Sequence, residues 1–284
     1  MVLPYTVLDV FTHTPLAGNA LAVVHEADGL DEETMQRFAR ETRLAETTFV
    51  QSPTVEGADY RNRIFTVREE VPFAGHPSLG TAVAVARARG ESDAAYVQQT
   101  GAGLQPVDVR PDGDRTYASV LQEPARFGAE VDSAPVMAAV GLAASAAHPD
   151  LPPQVVSTGL PTLVAPVADQ AGVSRAIPRF EAIDALLEPL ETQNLYLAHH
   201  DPASRTARAR MFSRLVQEGE DAGTGSAAGS LCAYLAARAG QPRVEITQGV
   251  EMGRPSLLAA ELAGDRVRVG GGVVVIVDGS ARLP

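Results

Sequence analysis

Two stretches of the chain gather side chains that can move protons or hold anions. The first is Glu70-Val71-Pro72-Phe73-Ala74-Gly75-His76-Pro77-Ser78, which runs straight into the Ala/Val-rich segment Leu79 to Arg89. The second is Glu220-Asp221-Ala222-Gly223-Thr224-Gly225-Ser226, which runs into Ala227 to Arg238. Each has an acidic residue, a glycine turn, a small polar residue and then a nearly uncharged helical run stopped by glycine, Gly90 or Gly240. A helix with no polar face is a core helix. Its first turn carries unpaired N–H groups and the positive end of the dipole, which suits a carboxylate. His76 and Ser78 at one such end, and Asp221, Thr224 and Ser226 at the other, could bind that carboxylate or carry a proton. The alternative is capping, with Thr224 and Ser226 satisfying helix N–H groups and Asp221 complementing the dipole.

A third candidate stands apart. Glu46 lies between Leu44-Ala45 and the strand-like Thr47-Thr48-Phe49-Val50. Apolar neighbours would desolvate its carboxyl and raise its pKa toward a useful acid/base range; the plainer reading is an exposed loop glutamate. Other chemistries find little support. No His pair has the i, i+4 spacing of a zinc site, and His199-His200 would point apart in a strand, so no metal is expected. His13, His25, His148, His199 and His200 lie in polar or loop-like contexts. Cys232 is the single cysteine and sits within an apolar helical run, which suggests inert packing. No Walker loop, dinucleotide fingerprint or nucleophile elbow occurs.

These groups need elements to position them. The 284 residues correspond to about two domains. Hydrophobic residues at 45 % and charged residues at 20 % exclude wholesale disorder. A net charge of −12 argues against phosphate-backbone binding, and no nucleic-acid partner is expected. No signal peptide and no membrane-length apolar run is read, so a cytoplasmic location is expected. Strands are predicted over Pro4 to Phe11, Ala20 to Val24, Thr47 to Val50 and Tyr60 to Val67, with a helix capped by Asp31 between the second and third. Strands around a Pro111-Asp112-Gly113-Asp114 turn fill residues 107–122, and a domain change is placed near Gln122-Glu123-Pro124. Beyond it, Met137 to Leu142 and Ile183 to Leu190 read as helices. Gln154 to Ser157, Asn194 to Ala198, Ala207 to Phe212, Val244 to Gln248 and Leu257 to Leu262 read as strands. A last strand, Val273 to Val277, follows a break at Gly270-Gly271-Gly272. The two core-helix motifs stand half a chain apart, so an internal duplication is the simplest account: two α/β domains, each wrapping a curved sheet around one helix.

Several segments together resemble one family. Gly18-Asn19-Ala20-Leu21-Ala22-Val23-Val24 is similar to G-N-P-x-A-V-V, and Ala45-Glu46-Thr47-Thr48-Phe49-Val50 to S-E-T-T-F-V. Glu70 to Gly80 resembles E-x-P-F-A-G-H-P-T-L-G, and Ser157-Thr158-Gly159-Leu160-Pro161 matches S-T-G-L-P. Glu220 to Ala227 resembles E-D-P-A-T-G-S-A, and Gln248-Gly249 with Gly253-Arg254-Pro255-Ser256 resembles Q-G-x-x-x-G-R-P-S. In this order, over nearly the whole chain, they resemble the phenazine biosynthesis PhzF-like isomerases.

The resemblance implies an α+β, diaminopimelate-epimerase-like fold: two pseudo-symmetric domains, each a barrel-like sheet around a central helix, with the site in the cleft between them. Domain boundaries at 1–122 and 123–265 follow, with strands in 266–284 returning to the first domain. The resemblance also implies a homodimer, no cofactor and a small-molecule carboxylate substrate. Glu46 corresponds to the family's acid/base carboxylate, and His76, Asp221 and Ser226 to its other catalytic positions. Asn19, Gly75, Ser78, Gly159, Thr224 and Gly225 are implied to contact substrate. The implied reaction moves a proton and a double bond in a cyclic or conjugated amino-acid-like carboxylate, as in phenazine or alkylproline biosynthesis. A racemase of the same fold, or a non-catalytic carboxylate-binding protein, are the alternatives. Sister racemases use two thiols, and here Ala222 stands where one is expected. Ala20 and Ala222-Gly223 also depart from the family's prolines, which loosens the loop before Ser226.

Overall fold

The computed structural model describes residues 1–216 and 219–284. The chain begins with β1 (Val2–Val10), β2 (Asn19–Val24), α1 (Glu32–Thr42), β3 (Glu46–Gln51), β4 (Tyr60–Phe65) and β5 (Glu70–Val71). It continues with α2 (Gly75–Arg89), β6 (Ala94–Thr100), β7 (Gly103–Asp112) and β8 (Arg115–Leu121). Next come β9 (Arg126–Glu130), α3 (Ser133–Ala139), β10 (Gln154–Ser157), β11 (Pro161–Pro166), α4 (Gln170–Arg175) and α5 (Phe180–Leu187). The last elements are β12 (Leu195–Asp201), β13 (Thr206–Phe212), β14 (Glu220–Asp221), α6 (Gly225–Ala239), β15 (Arg243–Gln248), β16 (Ser256–Ala263) and β17 (Arg266–Arg282). Two compact units result, one of residues 1–121 with 270–284, the other of residues 122–269.

In the first unit the sheet closes on itself. Hydrogen-bonded neighbours run β17, β1, β2, β3, β4, β6, β7, β8 and back to β17. The β2–β3 and β4–β6 pairs are parallel, and the others with a resolved register are antiparallel. Closure removes the sheet edges. Inside lies α2, whose residues from Gly75 to Ala86 are all buried, which explains why its sequence carries no polar stripe. By contrast α1 is amphipathic and lies outside, seating Met35 and Ala39 against Phe49 and Phe65. Asp31 caps it as expected, its carboxylate accepting the Thr34 N–H at 2.8 Å.

The second unit repeats the plan. Its sheet runs β9, β10, β11, β12, β13, β15, β16, with β14 added to β13. The β11–β12 and β13–β15 pairs are the parallel ones. Core helix α6 packs on β10, β11, β15 and β16. A further layer formed by α3, α4 and α5 covers the outer face with Val136, Met137, Val173, Ile183 and Leu187. This is the expected α+β fold of two like units, each a curved sheet around a central helix.

Equivalent side chains confirm that the repeat is physical. Arg63 grips Glu70 through Nε at 2.8 Å and Nη2 at 2.5 Å, and its guanidinium lies over Phe65. Arg210 grips Glu220 through Nε and Nη2, each at 2.7 Å, and lies over Phe212. In both units this fork ties the strand to the short strand that leads into the core helix.

Some boundaries differ from the sequence reading. Both core helices start earlier than predicted, at Gly75 and Gly225, so His76 and Ser226 lie within the first turn and not ahead of it. The third helix starts earlier than predicted, at Ser133, because Asp132 caps it by accepting the Ala134 N–H at 3.1 Å, and it ends at Ala139. His199 and His200 belong to β12 rather than a loop, and His25 is buried beside Thr6. The largest correction concerns Gly270-Gly271-Gly272, which does not break the chain but lies within the long strand β17. A Cβ on Gly270 would stand 2.5 Å from the Ala118 carbonyl, so glycine is what lets this strand approach β8.

Candidate active site

In the first unit, β2, β3 and the first turn of α2 bring three predicted residues together. The turn at Gly18 allows β2 to start on Asn19, and β3 starts on Glu46, paired in parallel with Leu21. The head of α2 then presents His76 between them. Asn19 Nδ2 lies 3.1 Å from His76 Nδ1, and His76 Nε2 lies 3.1 Å from Glu46 Oε2. An amide NH₂ can only donate, so Nδ1 accepts and the neutral ring carries its proton on Nε2, facing the carboxylate. The side chains of His76 and Glu46 are only 5 % and 14 % exposed, so Glu46 is not an exposed loop glutamate.

Burial pushes the His76 pKa down to about 3, with the Ala20 carbonyl pulling weakly the other way. His76 is therefore a neutral imidazole beside the Glu46 carboxyl group. The Nε2–H is not in line with a hydrogen-bond acceptor. Such misalignment is common in catalytic groups that tighten only around a substrate.

This burial has a consequence for stability. An unfolded His76 takes up a proton near its ordinary pKa of 6.5, whereas the folded one resists until about 3. Between those values the unfolded chain binds more protons, so stability falls as pH falls, by up to about 1.4 kcal/mol per pH unit from this group. Urea midpoints measured from pH 7.5 to 4.5 are expected to decline more steeply in the wild type than in His76→Gln. Parallel declines would contradict a buried neutral imidazole.

The other first-unit candidates are Gly75 and Ser78. Gly75 is the buried first residue of α2. Ser78 is fully buried, and its hydroxyl is within 2.8 Å of the Ala74 carbonyl and 3.2 Å of Gln105 Oε1. It thus supports the helix start.

In the second unit, Asp221 ends β14 opposite Met211, and Ala222-Gly223-Thr224 leads into α6. Thr224 occupies the N-cap position but does not cap with its side chain. Its hydroxyl instead donates to Asp221 Oδ2 at 2.5 Å. Gly225 and Ser226 open the helix, both buried. The Ser157-Thr158-Gly159 loop is seated on that first turn. Gln122 Nε2 donates to the Gly225 carbonyl at 2.9 Å, and the Thr158 hydroxyl donates to Gln122 Oε1 at 2.6 Å. Gly159 follows with a φ of 138°, exposed at the loop's tip.

Sequence reasoning did not find Gln122, Tyr196 and Gln248 as partners of these groups. Gln248 stood in a quoted motif, but its buried contacts are non-local. Cys232 is buried, and burial pushes its thiol up to about 12, so it is no nucleophile. Among the described residues, no group of three or more His, Cys, Asp or Glu is placed to hold a metal ion, and no helix is long and apolar enough to cross a membrane.

A closed sheet around a nearly uncharged core helix, a curved sheet around a like helix in the second unit, and a buried Glu46–His76 pair at the head of the first helix define a diaminopimelate-epimerase-like protein. The chain belongs to the phenazine biosynthesis-like (PhzC–PhzF) family, whose profile matches residues 8–279. It is 37 % identical to a trans-2,3-dihydro-3-hydroxyanthranilate isomerase of Pseudomonas aeruginosa, over 98 % of this chain and 99 % of that one. A PhzF-family phenazine biosynthesis protein of Bacillus anthracis superposes with a TM-score of 0.87 at 26 % identity, over 99 % of each chain. A hydroxyproline epimerase from Agrobacterium vitis shares the fold alone, with a TM-score of 0.66 at 11 % identity, over 99 % of this chain and 91 % of that one. The protein is an isomerase of this family.

Proposed function

We propose that this isomerase relocates a proton, and with it a double bond, in a small cyclic or conjugated amino-acid-like carboxylate, without a cofactor. The observation that carries the reading is the 3.1 Å approach of Glu46 Oε2 to the buried, neutral His76. The Glu46 carboxylate takes a proton from one substrate carbon, forming its O–H bond as the C–H pair shifts into the conjugated system. It then returns the proton to a second carbon as the double bond settles in its new position. His76, held by Asn19, donates from Nε2 toward the reacting region, and the backbone N–H groups of the first turn of α2 favour a substrate carboxylate. Asp221 and Ser226 are assigned substrate positioning in the second unit, with Gly159, Thr224 and Gly225 beside them. Homodimeric, cytoplasmic operation in a specialised biosynthetic pathway is part of the same proposal. A two-thiol racemase mechanism is disfavoured, because the one thiol is the buried Cys232.

The relatives' name supplies the first substrate to try. Trans-2,3-dihydro-3-hydroxyanthranilate, incubated with the protein in deuterated water and followed by NMR, is expected to show double-bond migration with deuterium at the carbon that receives the proton. Binding without migration would indicate a binding protein. Deuterium at a stereocentre with loss of optical rotation would indicate a racemase.

A further inference from the structure

The Gln248 motif has no place in the chemistry described so far, yet its buried side chain is the hub of a polar cluster. Gln248 is 0 % exposed. Its Nε2 donates to the Asp221 backbone carbonyl at 2.8 Å, and its Oε1 accepts the Thr224 backbone N–H at 3.3 Å. A carbonyl can only accept and a backbone N–H can only donate, so these two contacts fix which end of the amide is which. Two further directions follow from that orientation. The Tyr196 hydroxyl, 2.9 Å from Oε1, donates to it. The second Nε2 proton goes to Thr224 Oγ1 at 2.9 Å. The Thr224 hydroxyl, accepting from Nε2, donates its own proton to Asp221 Oδ2, 2.5 Å away.

Geometry also holds Gln248 in place. Gly249 has a φ of 74°, and a Cβ there would stand 2.5 Å from both the Ala222 and the Arg254 carbonyls. The chain behind Gln248 is therefore packed directly on the loop that carries Asp221.

We infer that Gln248 and Thr224 are positioning residues that direct a hydrogen bond into Asp221 Oδ2 and thereby favour the Asp221 carboxylate over its acid form. The inference rests on the reading of Asp221 as a site residue, and it leaves proton delivery to Glu46. Around Asp221 stand the Tyr196 ring of β12 and the adjacent Glu220, which Arg210 of β13 holds. None of these is altered by exchanging Thr224 for Val or Ser.

The test is an NMR titration of the ¹³C-labelled Asp221 carboxyl, identified by its loss in Asp221→Asn, alongside the pH profile of kcat/KM. Losing a hydrogen bond to a charged group is expected to raise the Asp221 midpoint by about one to two pH units in Thr224→Val. Thr224→Ser restores it. Gln248→Leu, which lets the Thr224 hydroxyl turn away, moves it in the same direction by less. The acid limb of kcat/KM moves with the midpoint in each variant. An unchanged midpoint in Thr224→Val, a Ser variant that behaves like Val, or a Gln248→Leu variant that titrates like wild type would overturn the assignment. Because the carboxyl titration needs no turnover, absence of activity in the wild type would count against the proposed function and leave this result standing.

Discussion

Glu46→Gln is expected to lower kcat about a thousandfold on any substrate the protein isomerises, while KM changes by no more than a few-fold. The amide has the size and shape of the carboxyl, so the packing beside His76 is kept and the fold is undisturbed. It cannot take a proton from carbon, and general acid–base groups contribute about 10²–10⁴ in rate. Because the group acts on the reacting atoms, the loss falls on kcat. Glu46→Asp is a useful companion. It keeps the chemistry but withdraws the carboxylate by one methylene, breaking the 3.1 Å approach to His76, and misplacement on that scale is worth about a hundredfold. Steady-state kinetics of both variants, with thermal melts to confirm folding, provide the check. A Gln variant retaining a tenth of wild-type kcat would remove Glu46 from the chemistry.

Arg210→Met is expected to be the most damaging change outside the site, and its counterpart Arg63→Met much milder. The two arginines make the same fork but in different surroundings. Arg210 is 8 % and Glu220 13 % exposed, and Arg210 Nη1 also donates to the Ala176 carbonyl at 2.7 Å. Removing it strands a buried carboxylate and a buried carbonyl, a loss of about 3–5 kcal/mol. Glu70 is 32 % exposed and the second partner of Arg63, Glu32, is 72 % exposed, so water can take over there. The loss should be about 1 kcal/mol. In melting temperature, Arg210→Met should fall by about 10 °C and Arg63→Met by about 3 °C. Adding Glu220→Leu to Arg210→Met should recover part of the loss, since the stranded charge is then gone. Equal losses at the two forks would refute the burial argument.

The two forks also show what the sequence made legible. Periodicity and glycine stops revealed both core helices, because a helix enclosed by sheet needs an apolar surface all round. The repeat was visible in Gly75 and Gly225 for the same reason. Glu46 and His76 could be named as candidates, but their approach could not be read from spacing, since it depends on β2 and β3 pairing in parallel beside the head of α2. The same limit hid Gln248 and Tyr196, whose partners lie on other strands. Gly270-Gly271-Gly272 misled for a specific reason. Local propensity treats glycine as a breaker, while the backbone of β8 demands it inside a strand.

That long strand has a consequence for how the chain is made. Residues 270–284 complete the first unit, whereas residues 122–269 form an uninterrupted second one. On the ribosome the amino-terminal barrel must wait, open along β1 and β8, until the final stave has been synthesised, while the later-translated unit already has every piece it needs. The β1–β17 pairing, Val2 with Arg282 among it, is highly non-local, and closure of this kind is slow. The half that carries Glu46 and His76 is thus the last to close.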